Sequence, residues 1–164
     1  MRNFKSFQGI ITMIEDFWMT ADDRNGGCYK LMTLEDGQGS IVNFVVEPKT
    51  YFVDSVRVNI GDRVTGFYNA DLPVPLIYPP QYRAVVMAMT SSYMNVKVSY
   101  FDSHLVSSDN SLRLNLAMCT QIVLGNGQTF NRNPANRELI VLYGATTKSI
   151  PAQTTPYKII VICE

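Results

Sequence analysis

No stretch of this chain places apolar residues at i, i+3, i+4 and i+7 over three turns, so a long amphipathic helix is excluded as a building block. Apolar residues come instead in short β-branched and aromatic runs between turn-forming residues, which is the pattern of an all-β protein. Gly9-Ile10-Ile11-Thr12-Met13-Ile14 reads as a first strand, with a glycine where a bulge can sit. Cys28 to Leu34 and Ser40 to Val46 flank Glu35-Asp36-Gly37-Gln38-Gly39, a turn that makes them a hairpin. Pro48 stops the second of these, because proline lacks the N–H that a central strand donates. Arg63 to Tyr68 and Arg83 to Met89 read as two more strands, with room for one short helix around Thr50 to Val56. Further on, Val96–Tyr100, Leu112–Ala117, Gln121–Leu124, Leu139–Tyr143 and Lys158–Ile162 repeat the theme.

The repetition is partly measurable. Residues 64–88, slid forward by 75 positions, bring Val64 onto Leu139, Phe67 onto Leu142, Tyr68 onto Tyr143, Tyr82 onto Tyr157 and Arg83 onto Lys158. Upstream the offset grows to 79, where Thr50-Tyr51 meets Thr129-Phe130. The expectation is a β domain over 1–91 and a second, related β unit over 92–164, with only Thr90-Ser91-Ser92-Tyr93 as a joint. The alternative is one continuous β domain whose strands look alike.

Strand order carries a resemblance. A first strand with Gly9, a hairpin, a short connection, and then Val58-Asn59-Ile60-Gly61-Asp62-Arg63-Val64-Thr65-Gly66-Phe67 resembles an OB-fold, a five-stranded Greek-key barrel in which an apolar residue and Gly-Asp open the fourth strand. The resemblance implies two tandem OB-like barrels, or one such barrel and a smaller related unit. Asn136-Arg137-Glu138 departs from it by lacking the Gly-Asp pair. Separately, Pro73-Val74-Pro75-Leu76-Ile77-Tyr78-Pro79-Pro80-Gln81-Tyr82 resembles part of a bacterial module of unknown role found beside copper-amine-oxidase-like N-terminal repeats. That resemblance implies a non-catalytic accessory role, with surface or envelope association if the chain is a piece of a longer protein, and it assigns no ligand.

Composition narrows the function classes. Fourteen basic and fourteen acidic residues cancel, and charged types are only 17% of the chain, below the usual quarter or so. An apolar, uncharged balance of this kind collapses rather than staying disordered. Residues 1–91 hold eight basic and ten acidic residues, and residues 92–164 hold six and four. Neither half is a basic nucleic-acid-binding domain by charge. No apolar run behind a basic start marks a signal peptide, and no window of ~18 apolar residues marks a membrane helix. The expectation is therefore a soluble, cytoplasmic chain.

Chemistry is sparse. Cys28, Cys119 and Cys163 are odd in number and scattered, which fits neither a disulfide scaffold nor, with the sole His104, a zinc site. His104 must serve any catalytic pair, yet Asp102-Ser103-His104 are sequence neighbours that a strand would point to opposite faces. Glu15-Asp16 and Asp22-Asp23 are acidic pairs without a calcium-loop signature. No phosphate-binding loop, dinucleotide fingerprint or metalloprotease motif is present. The expectation is a non-enzymatic protein without cofactor or metal, acting through protein contacts. Single-stranded nucleic-acid binding is the alternative that the OB-like order implies.

The candidate binding residues are Leu76, Tyr78, Tyr82, Trp18, Tyr29 and Arg83. Four prolines stiffen residues 71–82 into an extended form that can present Leu76, Tyr78 and Tyr82 to a protein partner. The plainer expectation is that this loop folds back to plug a barrel end. Trp18, Tyr29, Phe44, Tyr51 and Tyr68 are available to stack nucleic-acid bases, with Lys30, Arg57, Arg63 and Arg83 for phosphates. Core packing is the commoner fate of strand aromatics.

Overall fold

The computed structural model describes residues 1–18 and 26–163, and the chain divides into two compact units. One comprises Phe4–Thr90; the other comprises Ser91–Glu164 together with Met1–Asn3. Among the described residues the fold is all-β, and the expected helix near Thr50 is reduced to one 3-10 turn, Val53–Ser55.

In the first unit β1 (Phe4–Asp16) serves two neighbours. Phe4–Ile10 pairs antiparallel with β5 (Arg63–Asn69), and Ile10–Asp16 pairs antiparallel with β2 (Lys30–Glu35). The register slips between Ile11 and Met13, two residues beyond the glycine. Gly9 instead makes room for a crossing. A Cβ there would lie 2.7 Å from the carbonyl oxygen of Glu35, so only glycine lets the end of β2 pass this closely. The expected hairpin joins β2 to β3 (Ile41–Val46), its turn fastened by Asp36, whose carboxylate accepts the N–H groups of Gln38 and Ser40. β3 runs parallel to β6 (Gln81–Arg83), and β7 (Val86–Met89) continues that line to pair antiparallel with β5. β4 (Tyr51–Phe52) lies parallel to β7. The strand order in the sheet is β4-β7-β5-β1-β2-β3-β6, and between β6 and β7 the Ala84 N–H bonds Val45 O while the Val85 N–H bonds Phe67 O. Alternating residues face the enclosed core, which holds Ile11, Leu34, Phe44, Val64 and Met87.

The Gly-Asp turn fastens the start of β5 to β1. Gly61 takes a left-handed φ of +95°, which favours glycine. Its N–H reaches Ile11 O at 2.8 Å, the Ile11 N–H reaches Asp62 O at 2.9 Å, and the Asp62 carboxylate accepts Asn59 N–H at 2.8 Å.

The second unit contains β8 (Asn95–Phe101), β9 (Leu112–Leu114), β10 (Gln121–Leu124), β11 (Arg137–Tyr143), β12 (Ala152–Thr154) and β13 (Lys158–Val161). Its pairings follow the same plan. β8 and β13 flank β11 antiparallel, as β1 and β7 flank β5. β9 runs parallel to β12, as β3 does to β6, and β10 runs parallel to β13, as β4 does to β7. The counterpart of β2 shrinks to isolated bridges, Phe101 to Ser107 and Val106 to Arg113. The core gathers Phe101, Leu114, Leu139, Val141 and Ile159. Where the first unit has Gly61, this one has Asn136 at φ +61°, its N–H on Asp102 O; asparagine is the residue after glycine that best tolerates this conformation.

Paired registers also correct the sequence offsets. Thr50 bridges Glu47 N–H (2.9 Å) and Ala84 O (2.8 Å) through its hydroxyl; Thr120 bridges Ala117 N–H (3.2 Å) and Pro156 O (3.3 Å) in the same way. Thr50 therefore corresponds to Thr120 rather than to Thr129. Tyr82 lies beside Phe44 as Thr154 lies beside Leu114, so Thr154, not Tyr157, stands in the place of Tyr82. The N–H of Tyr157 bonds Leu142 O at 2.8 Å as that of Val85 bonds Phe67 O at 2.8 Å.

Met1–Asn3 belong to the second unit because Arg2 is clamped there. Its N–H reaches Glu138 Oε2 at 2.8 Å, and its guanidinium reaches Oε1 at 2.7 Å through Nη2 and at 2.9 Å through Nε. Among the described residues no helix is long and apolar enough to cross a membrane.

Candidate functional site

The site forms where β3, β5 and β6 converge in the first unit. Val64, Gly66 and Tyr68 alternate along one face of β5. A Cβ on Gly66 would lie 2.6 Å from Cε2 and Cζ of Phe44, so the missing side chain is what admits the Phe44 ring. Phe44 is fully buried and supports two tyrosines, with ring centroids 6.1 Å away at Tyr68 and 6.3 Å at Tyr82. Those two rings stack on each other at 3.9 Å and 9°. Burial pushes the Tyr68 phenol up to about 12, with the neighbouring Tyr82 hydroxyl adding to the effect.

The stacked pair forms one wall of a cleft of about 550 Å³. Phe17, just beyond β1, lines it too, as do Leu72, Pro73 and Pro75 from the loop after β5, and Arg83. The volume lies within the usual range for ligand sites, roughly 300–1,000 Å³, and the walls are mainly apolar and aromatic. Arg83 Nη1 lies 3.6 Å from Glu47 Oε1, and Lys49 Nζ lies 3.8 Å from Glu47 Oε2, so the near-buried Glu47 carboxylate balances the cations at this end.

Of the six candidate residues, Tyr82 and Arg83 line the cleft. Leu76 and Tyr78 do not; they project from the loop beyond it, with relative exposures of 102% and 75%. Residues 71–78 are all exposed, so the loop does not plug the interior. Trp18 is exposed beside Phe17, and Tyr29 is half-buried with its carbonyl accepting Phe17 N–H at 2.8 Å; the two mark the neck of the β1–β2 connection. Sequence reasoning passed over Phe17 and Leu72 as site residues and treated Tyr68 only as an available aromatic. The signal for Tyr68 was the Val64/Gly66/Tyr68 alternation, in which the one glycine faces the one large ring of β3.

The same crossing in the second unit looks different. Residues 144–151 link β11 to β12, eight residues against the eleven of 70–80. Polar bonds fasten it: Thr147 Oγ1 accepts Gln153 N–H at 2.9 Å, and Ser149 Oγ donates to Pro151 O at 2.8 Å.

Other clusters are committed to turns. Asp102 Oδ1 accepts the N–H groups of His104 (2.8 Å) and Val106 (3.0 Å), which leaves His104 exposed at a hairpin tip. Asp109 binds Lys97, Ser107 and Ser111; burial raises its pKa, these bonds together outweigh that, and the carboxyl is held well below the usual range. Asp16 pairs with Lys30, while Asp22 and Asp23 lie outside the described residues. Cys28, Cys119 and Cys163 are free and exposed, and no group of three potential metal ligands occurs among the described residues. Comparisons with protein-family models, curated proteins and solved structures find no match to this chain.

Proposed function

We propose that this chain is a non-enzymatic binding module of two tandem OB-like units that engages a protein partner through the loop at 71–82 and the cleft beside it. The OB-like reading is supported by the order of pairings, which returns from β5 to β1, and by the Gly61-Asp62 turn that opens β5. The observation that carries the functional reading is the exposure of Leu76, Ile77 and Tyr78 in succession on a proline-stiffened loop. Contiguous apolar exposure of this kind marks interaction sites. A photo-crosslinking residue at position 76 tests it, with one at the equally exposed Met118 as control. Adducts to a discrete protein at 76 and not at 118 support the reading; equal labelling at both sites rejects it.

Single-stranded nucleic acid is the second reading, favoured by the Tyr68–Tyr82 stack beside Arg83. Salt-sensitive, saturable binding of labelled oligonucleotides supports it. No binding at low salt removes it.

A further inference from the structure

We infer that Arg2 is a latch common to the two units: opening either unit breaks its bonds to Glu138, so the latch holds both closed. The chain passes between the units twice, at Asn3–Phe4 and at Thr90–Ser91. Side-chain chemistry fastens the first of these passages. Arg2 gives the Glu138 carboxylate its backbone N–H at 2.8 Å, Nε at 2.9 Å and Nη2 at 2.7 Å. The fork of the guanidinium matches the two carboxylate oxygens, which makes such a bond strong and specific in direction. Both side chains are largely shielded, at 25% and 16% exposure, so solvent ions screen the pair less than a surface pair.

Strands hold both ends of the latch. Glu138 belongs to β11, an interior strand paired with β8 and β13, and its carbonyl accepts the Ile162 N–H at 3.0 Å. On the other side Phe4 and Lys5 pair with Asn69 and Tyr68 of β5. Only Asn3 stands between clamped Arg2 and paired Phe4, a span of at most about 7 Å between Cα atoms. The connection therefore has little slack. If the first unit opens, residues 4–90 become one long loop, and keeping Arg2 in place then costs the entropy of closing that loop. If the second unit opens, the strand that carries Glu138 is lost. Either event gives up the same contact.

Native-state hydrogen exchange of the full chain tests the inference, under conditions where rates read opening equilibria. The hairpin β2–β3 reports the first unit, and β11 with β13 the second. Arg2→Ala should speed exchange about tenfold in both places, the scale of losing a hydrogen bond to a charged group. Lys97→Met breaks the Lys97–Asp109 pair inside the second unit and should speed β11 and β13 alone. Acceleration confined to the second unit in Arg2→Ala overturns the inference, because Arg2 then serves only the unit it contacts. Unchanged exchange in Arg2→Ala overturns it as well. Equal acceleration of both units by Lys97→Met also overturns it, because the chain then opens as one body with or without the latch.

Discussion

Replacing Gly66 by alanine tests how the interior positions the site. The added methyl would stand 2.6 Å from two carbons of Phe44, about 1 Å inside ordinary carbon contact. Phe44 is fully buried beneath Tyr68 and Tyr82, so it cannot move without shifting the stacked pair. Overpacking of this kind costs about 1–3 kcal/mol, and removing a strand glycine returns roughly 0.5–1 kcal/mol. The net expectation is a loss of up to about 2.5 kcal/mol. For a unit of this size that lowers the melting temperature by up to about 20 °C. Urea unfolding followed by circular dichroism measures it, and the near-ultraviolet tyrosine signal should change in the native baseline. Phe44→Leu relieves the clash, so the double variant should lose less than the sum of the single ones, with a coupling of about 1 kcal/mol. Strict additivity of Gly66→Ala and Phe44→Leu would refute the placement of Phe44 against Gly66.

Thr50→Val keeps the side-chain shape but strands Glu47 N–H and Ala84 O, and should cost about 1–3 kcal/mol in urea unfolding; Thr120→Val, with longer bonds at 3.2 and 3.3 Å, should cost less. Arg2→Ala should destabilise the second unit. Burial raises the Glu138 pKa, but hydrogen bonds from Arg2 outweigh it and the net shift is downward. The clamp therefore contributes above the unfolded carboxyl pKa near 4.5 and is lost as pH falls through the lower folded value. Acid titration of stability should be shallower in Arg2→Ala, and an identical acid limb would contradict the clamp. Tyr68 has the opposite sign: its pKa, raised to about 12, gives stability that is complete below pH 10 and is lost as pH rises through 12. Tyr68→Phe should remove the step near pH 12 from an ultraviolet phenol titration.

Local chemistry made much of the fold legible and non-local pairing hid the rest. The β2–β3 hairpin was readable because Asp36 and Gly37 fix its turn within a few residues. The Gly61-Asp62 turn was readable for the same reason, whereas Asn136 holds the equivalent turn without the motif. The strands β6 and β12 were not anticipated. Each is three residues long, directly follows a proline, and exists only through parallel pairing with a strand distant in sequence. The uniform offset of 75 failed for a related reason: the loop after β5 is three residues longer than that after β11, and periodicity cannot register a loop insertion. In the candidate site, Tyr82 and Arg83 stood beside the proline loop in sequence. Phe17 reaches the same cleft from more than fifty positions away, and only the pairing of β1 with β5 and β2 brings it there. Exposure of Leu76 was illegible too, since a proline-rich apolar loop reads more plainly as a plug.

The proposed function depends above all on residues 76–78, which are exposed, serving contact rather than packing. Urea unfolding of Leu76→Ala/Tyr78→Ala, followed under conditions where the chain is monomeric, tests it most directly. The exposures of 102% and 75% predict a stability within about 0.5 kcal/mol of the natural chain, as for surface substitutions generally. A loss of about 2 kcal/mol or more, the scale of emptying a buried apolar site, would show that the tip belongs to the core and would contradict a contact role.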